Sequence, residues 1–354
     1  MSVWLPSAPC TPGACLEPAR PVAAARAALR LAAVLALVLA GVALSPLGGH
    51  LPAGPVRWWC RCVVRAAGVR VRVTGAAPPT GGLLLVANHI SWLDIPLLAA
   101  VRPARTLAKA EIRRWPVVGR LAARGALFIE RDRLRALPGT VARIADALRD
   151  GRAVAVFPEG STWCGRAQGP FRRAAFQAAL DARVPVQPVR LRYRSAAGTA
   201  STAPAFVGDD ALAASVWRVV STRGLVADVE IRAVIPPGSH PDRRGLARAA
   251  QPDPPAAPDP AHGGRTTAGG RRPPPGRRTE QPRRENPDGA GVEKIRWGKR
   301  GPGFVAGFSG RGFSAAPIRS VLGSASVAVV VAILAIFRAG DHHSDEEARE
   351  VRAP

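Results

Sequence analysis

The stretch LLLVANHISWLD, residues 83–94, decides the fold and the place of the chemistry. It begins with the uninterrupted apolar run Leu83–Ala87, which is typical of a strand buried on both faces of a sheet. His89 follows that strand, and Asp94 comes five residues later, where the apolar run Ile95–Ala100 begins. The pattern predicts a strand, a turn and a helix, with His89 held at the rigid edge of a sheet.

The same alternation continues on either side of this stretch, between residues 80 and 235. Short apolar runs bounded by turn residues predict further strands at Ala126–Ile129, Ala153–Phe157, Val186–Leu191 and Val226–Ile235. Helical spacing of apolar residues predicts helices at Ile95–Ala100, Leu137–Arg149 and Arg172–Ala182. Strands that alternate with helices indicate a layered α/β domain.

The N-H-x4-D spacing of His89 and Asp94 carries the sharpest chemical signal. An aspartate at the start of the helix can fold back to the imidazole, fix its tautomer and stabilise the charged ring. A histidine–aspartate dyad for acid–base chemistry is therefore the functional interpretation. The alternative is a helix-capping Asp94 beside a histidine that is merely buried.

Two other strand ends carry residues suited to binding. In the block FPEGS, residues 157–161, glycine lets a ligand approach the backbone, and Glu159 can accept hydrogen bonds from a polyol or hold a cation. A simple strand-to-loop turn is the alternative. Arg131 follows the strand at Ala126–Ile129 and suits phosphate, although this block taken alone favours a surface ion pair with Glu130 or Asp132.

Composition narrows the classes of protein. The chain has 354 residues, of which 47% are apolar, enough for a hydrophobic core. It has 50 Lys and Arg residues against 25 Asp and Glu, and this excess of positive charge predicts an anionic partner. The five cysteines are odd in number and scattered, so we expect neither a disulfide framework nor a paired zinc set. A single tyrosine and the lack of a binding motif disfavour a nucleic-acid partner. The absence of G-x-S-x-G disfavours a serine hydrolase.

An apolar run near the N-terminus predicts a membrane anchor. Leu31–Leu44 has no polar side chain, and Trp58, Trp59 and several arginines follow it. Positive residues on both sides favour a helical hairpin that dips into one leaflet over a single crossing. A signal peptide and a buried core helix are the alternatives.

Shifts in composition divide the chain into five parts. We expect a disordered leader over 1–26, a membrane-anchoring helical segment over 27–75 and the α/β domain over 76–240. A low-complexity linker rich in proline and glycine follows over 241–318, and a possible membrane segment with an acidic tail over 319–354.

Taken together, the motifs resemble the 1-acyl-sn-glycerol-3-phosphate acyltransferase family of glycerophospholipid acyltransferases. That family has N-H-x4-D, G-x-x-F-I-x-R, F-P-E-G-T and V-P-[VI]-x-P-V blocks in this order, and the chain has their counterparts at 88–94, 125–131, 157–161 and 184–189. The resemblance covers about residues 80–235, and it implies a glycerolipid-acyltransferase-type α/β domain with a membrane-associated N-terminus and a disordered C-terminal extension.

The resemblance also implies roles for individual residues. His89 would be the general base on a lysolipid hydroxyl, oriented by Asp94, and the hydroxyl would attack the thioester of acyl-CoA or acyl-carrier protein. The family requires no metal or other cofactor. The implied substrate-binding residues are Arg131 and Lys109 for phosphate, and Glu159, Gly160 and Ser161 around the glycerol.

The function implied is acyl transfer to a lysophospholipid at the cytoplasmic face of the cell membrane. The first acceptor we expect is 1-acyl-sn-glycerol-3-phosphate, which would give phosphatidic acid. The family's third block often continues Thr-Arg-Ser, but here Ser161-Thr162-Trp163-Cys164 lacks the arginine. A lyso-ornithine-type acceptor therefore stays open, as does a non-catalytic membrane scaffold.

Overall fold

A computed structural model describes residues 8–18, 20–44, 53–109, 127–129 and 133–252. The described helices are α1 (Pro12–Cys15), α2 (Ala24–Leu44), α3 (Ala53–Ala66), α4 (Asp94–Val101), α5 (Leu137–Arg149), α6 (Ala174–Ala182), α7 (Leu212–Ser221) and α8 (Arg243–Ala250). The described strands are β1 (Arg70–Thr74), β2 (Leu83–Ala87), β3 (Arg105–Lys109), β4 (Leu127–Ile129), β5 (Ala153–Val156), β6 (Val186–Arg194) and β7 (Val226–Ile231).

These strands form one mixed sheet in the order β1-β7-β6-β2-β5-β3-β4. The pairings are parallel except for β6 with β7, which is antiparallel. Strand β2 lies between β5 and β6, with Leu84 opposite both Val154 and Val186. Because β2 and β5 are parallel neighbours, the loops that follow them leave the same edge of the sheet. The predicted α/β class is confirmed by this architecture.

The sheet separates two apolar layers, and alternate residues of β2 feed each of them. Leu83 and Leu85 join the cluster formed with the buried faces of α2, α3, α4 and α7. Leu84 and Val86 join the opposite cluster, formed with α5, α6 and α8. Residues of a strand point alternately to the two faces, so a strand covered on both sides must be apolar throughout. This explains the unbroken apolar run at 83–87.

Helices α2 and α3 pack together as an antiparallel pair. Near one end, the guanidinium of Arg30 lies against Gly68, where an added Cβ would be only 2.3 Å from Arg30 Cζ. Further along, the indole of Trp59 donates a hydrogen bond to the Leu37 carbonyl at 3.1 Å. Of the described helices, α2 is the one long and apolar enough to cross a membrane by length and composition. The expected pairing of two N-terminal helices is therefore seen.

Three of the expected boundaries are corrected. The disordered leader was expected over 1–26, but α1 lies within it, Cys10 is buried, and the backbone N–H of Glu17 donates to Thr202 Oγ1 at 3.0 Å. The anchor was expected to end at 75, but its last residues form β1, whose alternation of arginine and valine has the period of an edge strand beside β7. The sheet thus begins before residue 76.

The third correction concerns the start of the low-complexity linker, expected at 241. Residues 243–250 form α8, whose buried Leu246, Ala247 and Ala250 pack in the same cluster as α6. One apolar stripe on an otherwise arginine-rich helix is enough to bind it to the domain. The rest of that linker and the expected tail at 319–354 lie outside the described residues.

Candidate active site

The site forms where β2 and β5 end side by side. His89 leaves β2, and Phe157 leaves β5, so the two rings meet face to face, with centroids 4.0 Å apart and planes 15° from parallel. The side chain of His89 is 19% exposed. The imidazole is therefore fixed against an aromatic wall while part of it still reaches solvent.

Asp94 holds the imidazole from the first turn of α4. Its Oδ2 lies 2.9 Å from His89 Nδ1 and also accepts the backbone N–H groups of Ile90 at 2.6 Å and Ser91 at 2.8 Å. Its Oδ1 accepts the hydroxyl of Tyr193 at 2.6 Å. The carboxylate is fully buried, and these four donors fix its orientation.

This arrangement determines the tautomer of His89. A carboxylate only accepts hydrogen bonds, so the proton of the neutral ring must lie on Nδ1, and Nε2 carries the free lone pair. Among the described residues, Nε2 has no hydrogen-bonding partner. His89 and Asp94 are thus brought together as the spacing predicted, in the arrangement that a general base with an orienting aspartate requires.

Glu159 lies beneath the dyad rather than open to a ligand. Its Oε2 accepts the backbone N–H of His89 at 2.6 Å, its Oε1 accepts that of Gly169 at 2.9 Å, and the residue is 4% exposed. Burial raises the pKa of this carboxyl to about 7, against the opposing effect of the two N–H donors. Both oxygens of Glu159 are engaged in positioning the site's own backbone, and the expected part of Glu159 in lining a glycerol site stays a prediction.

The loop after Glu159 is attached to the dyad through its backbone. Gly160 has φ of +75°, a left-handed conformation that glycine adopts readily, and the backbone N–H of Trp163 donates to the His89 carbonyl at 2.8 Å. The Ser161 hydroxyl lies 3.5 Å from the neighbouring Thr162 carbonyl oxygen, which is too long for a firm hydrogen bond. Gly160 and Ser161 therefore lie in the loop that borders His89.

The described side chains do not include the two that were expected to bind phosphate. Arg131 lies outside the described residues, as do Glu130 and Asp132. Lys109 ends strand β3, which runs parallel beside β5, so its backbone lies towards the edge of the sheet from which His89 leaves β2. The phosphate-binding roles of Arg131 and Lys109 stay predictions.

The roles of two further residues of the site were not predicted from the sequence. Tyr193 of β6 binds Asp94, and burial together with Asp94 raises the pKa of its hydroxyl well above the usual value. Asn88 exchanges two hydrogen bonds with the backbone of Leu191, at 2.8 and 3.0 Å, and so joins the end of β2 to β6. The signal for Tyr193 was that it continues the alternate apolar positions Val189 and Leu191, which lie on the buried face of the strand.

The sheet and the site define a class of protein: an α/β enzyme with a histidine–aspartate pair where two parallel strands end. Comparison with known proteins identifies the family. Residues 69–192 match the family model described as Acyltransferase. The chain is 40% identical over 243 residues to a lyso-ornithine lipid O-acyltransferase of Pseudomonas aeruginosa, covering 64% of this chain and 91% of that protein.

A second relative has a different acceptor in its name. The chain is 36% identical over 188 residues to a 1-acyl-sn-glycerol-3-phosphate acyltransferase of Neisseria meningitidis, covering 52% of this chain and 73% of the relative. A crystal structure of a 1-acyl-sn-glycerophosphate acyltransferase from Thermotoga maritima aligns with a TM-score of 0.44 at 20% identity, over 62% of this chain and 92% of that one. The chain belongs to the 1-acyl-sn-glycerol-3-phosphate acyltransferase family and is an acyltransferase.

Proposed function

We propose that the chain transfers a fatty acyl group from the thioester of acyl-CoA or acyl-carrier protein to the hydroxyl of a lysolipid. The observation that carries this proposal is the tautomer of His89, whose Nδ1 is bound to Asp94 and whose Nε2 is free among the described residues. A free, oriented Nε2 beside a partly exposed ring is what a base needs to accept a proton from an alcohol.

The reaction follows from that geometry. Nε2 of His89 takes the proton of the lysolipid hydroxyl while the hydroxyl oxygen attacks the thioester carbonyl carbon. The carbon–sulfur bond breaks, an ester forms, and the proton on Nε2 passes to the departing thiolate. The buried carboxylate of Asp94 stabilises the imidazolium between these steps. No acyl-enzyme is needed, so Ser91 and Ser161 have no part as nucleophiles.

The acceptor's anionic headgroup would meet the basic edge of the sheet. 1-Acyl-sn-glycerol-3-phosphate is the first candidate, because Lys109 ends a strand at that edge and Arg131 follows the neighbouring strand β4 in sequence. Arginine and lysine are the side chains that bind phosphate in proteins. Gly160 and Ser161 border His89 and would lie beside the glycerol.

A lyso-ornithine-type lipid is the second candidate acceptor, and two observations favour it. The chain covers 91% of a lyso-ornithine lipid O-acyltransferase at 40% identity, against 73% at 36% for the 1-acyl-sn-glycerol-3-phosphate acyltransferase. The run Ser161-Thr162-Trp163-Cys164 also lacks the arginine that often follows the third block in the family. Loss of a phosphate-binding arginine fits an acceptor without a phosphate.

The helical pair α2–α3 would hold the enzyme on the membrane that contains its acceptor, at the cytoplasmic face. Leu29 and Leu39 of α2 are 71% and 66% exposed, and Trp58 of α3 is 65% exposed. Exposed leucines beside tryptophan and arginine are typical of a helix that lies in the interface of a bilayer. The formal charge of +25 would add attraction to anionic lipid.

The test is acyl transfer by the full chain in membranes, with labelled acyl-CoA or acyl-carrier protein and each lysolipid in parallel. We expect transfer by the wild type and its loss in His89→Ala. The matched control is His240→Ala, which removes the histidine just before α8. The relative rates with the two acceptors choose between the candidates.

Two outcomes would contradict the proposal. Undiminished transfer by His89→Ala would show that the dyad is not the base. A folded wild type that transfers to neither acceptor from either donor would support the non-catalytic scaffold instead.

A further inference from the structure

Three cysteines far apart in sequence meet beside the active-site loop. Cys10 and Cys15 come from the N-terminal segment around α1, and Cys164 follows Trp163 in the loop that carries Glu159. Their Sγ atoms all lie within 4.8 Å of one another. Cys10 and Cys164 are buried and Cys15 is half-buried, and all three are free thiols. The proposed acyl-transfer mechanism uses none of them.

We propose that Cys10, Cys15 and Cys164 form a three-thiolate site for a soft metal ion, with Zn²⁺ as the ion best suited to it. Each thiol loses its proton, and the three sulfurs bind the ion, so three protons are released to solvent at full deprotonation. Thiolates select zinc and copper(I) over hard cations, and three protein ligands leave one position for water or an anion. Cys15, half-buried, gives that position an opening.

The N-terminal segment is docked independently of the cysteines, which keeps the three sulfurs together without a metal. The N–H of Glu17 donates to Thr202 Oγ1 at 3.0 Å, and the Glu17 carboxylate pairs with Arg166. The Cys10 carbonyl also lies so close to Gly208 that an added Cβ would be 3.1 Å from it. A site assembled in advance loses less entropy when it binds its ion.

The position of the site gives the ion a structural role. The residue before Cys164 donates its backbone N–H to the His89 carbonyl, and a Cβ on Gly165 would lie 3.2 Å from Ile90. An ion bound to Cys164 would therefore tie the N-terminal segment to the loop that supports the dyad. Sequence spacing did not indicate this site, because the third ligand comes from a remote loop.

The test is metal binding by the reduced full chain, kept free of oxygen in detergent. Co²⁺ serves as a coloured probe whose sulfur-to-metal charge-transfer band counts thiolate ligands, and Zn²⁺ is then added to displace it. We expect one ion per chain, a thiolate band, and tighter binding of Zn²⁺ than of Co²⁺. Cys15→Ser and Cys164→Ser should each weaken binding about tenfold or more, by analogy with the loss of supporting groups at metal sites.

Cys62→Ser is the matched control, because Cys62 is also half-buried but lies on α3 with Cys60, two positions away and on another face of the helix. A second readout guards against misfolded variants: Zn²⁺ should raise the unfolding temperature of the wild type and of Cys62→Ser, but not of Cys15→Ser. The proposal is overturned if the wild type shows no thiolate band, or if Cys62→Ser reduces binding as much as Cys164→Ser. Acyl transfer is not needed for either readout, so this proposal can fail while the proposed function stands.

Discussion

Two strand ends at the same edge of the sheet bury a carboxylate each, but they use it differently. At the start of α4, in the segment that follows β2, Asp94 accepts four hydrogen bonds, one of them from the imidazole of His89. In the loop after β5, Glu159 accepts two, both from backbone N–H groups. Asp94 thus orients the side chain of His89, whereas Glu159 holds the backbone of the same residue.

The difference bears on how many hydrogen-bond donors are needed to offset the free-energy cost of burying a carboxylate. Removing a carboxylate from water is costly, and each donor recovers part of that cost. With two donors, the pKa of Glu159 is still raised to about 7. The comparison predicts that Glu159 can exchange a proton near neutral pH. Changes to these two carboxylates and to their partners should differ in effect, from the largest to the smallest in the order that follows.

Asp94→Asn should have the largest effect. An amide nitrogen in place of one oxygen faces N–H groups that need an acceptor, and the tautomer of His89 is no longer fixed. We expect acyl transfer to fall by about 10²–10⁴-fold, and the free energy of unfolding to fall by about 1–3 kcal/mol for each N–H left unpaired. Rate measurements and urea unfolding check both. Asp146→Asn, at an exposed ion pair on α5, is the control, and a loss of similar size there would contradict the role of Asp94.

Glu159→Gln should have the next largest effect. Glutamine keeps one acceptor oxygen and loses one charge-assisted hydrogen bond, which is worth about 1.5–3 kcal/mol. If this whole loss raises the activation free energy of acyl transfer, the rate falls by about 10–100-fold. Steady-state kinetics with saturating acceptor measures it. Glu230→Gln, at an exposed ion pair on β7, is the matched control. A rate equal to the wild type would mean that the His89 backbone holds its position without Glu159.

The pH dependence of activity and of stability tests the raised pKa of Glu159. Below about pH 7, Glu159 takes up a proton and can no longer accept both N–H groups, so activity should decline with a component that Glu159→Gln lacks. The free energy of unfolding should change with pH in the opposite direction to activity. The pKa is raised from an ordinary 4.5, so the folded chain binds the proton more tightly than the unfolded chain. Between about 4.5 and about 7, the free energy of unfolding contributed by Glu159 should therefore decrease as pH rises.

Urea unfolding at several pH values tests the stability half of that prediction. The slope of unfolding free energy against pH should differ between the wild type and Glu159→Gln in this window and match outside it. Identical slopes would show that Glu159 keeps its ordinary pKa in the folded chain.

Tyr193→Phe should have the smallest effect. It removes one donor from Asp94 and leaves three, so the carboxylate remains bound to His89. We expect about 1 kcal/mol of stability to be lost and a rate reduction of about fivefold or less. Thermal unfolding and initial rates measure these changes. A loss as large as that of Asp94→Asn would show that the tyrosine hydroxyl, rather than the backbone N–H groups, orients the aspartate.

The sequence alone predicted the strands that are continuous apolar runs and the helices whose apolar residues recur at helical spacing. The unbroken apolar runs at β2 and β5 and the helical spacing of α5 predicted the layered domain, and the N-H-x4-D spacing predicted the dyad. These features are local, because a buried strand or an amphipathic helix shows its burial in its own residues. The short elements β1 and α8 were missed because only one residue of β1 and three of α8 are buried, too few to show a clear period.

Only the tertiary structure decided which distant residues share an environment. It places the Tyr193 hydroxyl of β6 against Asp94 and the Glu159 carboxylate against the backbone N–H of His89. It also places the thiol of Cys164 beside those of Cys10 and Cys15. Each of these contacts links segments that are far apart in the chain. Their positions follow from the strand order of the sheet and from how loops fold over its edge, and neither is written in the spacing of residues along one segment.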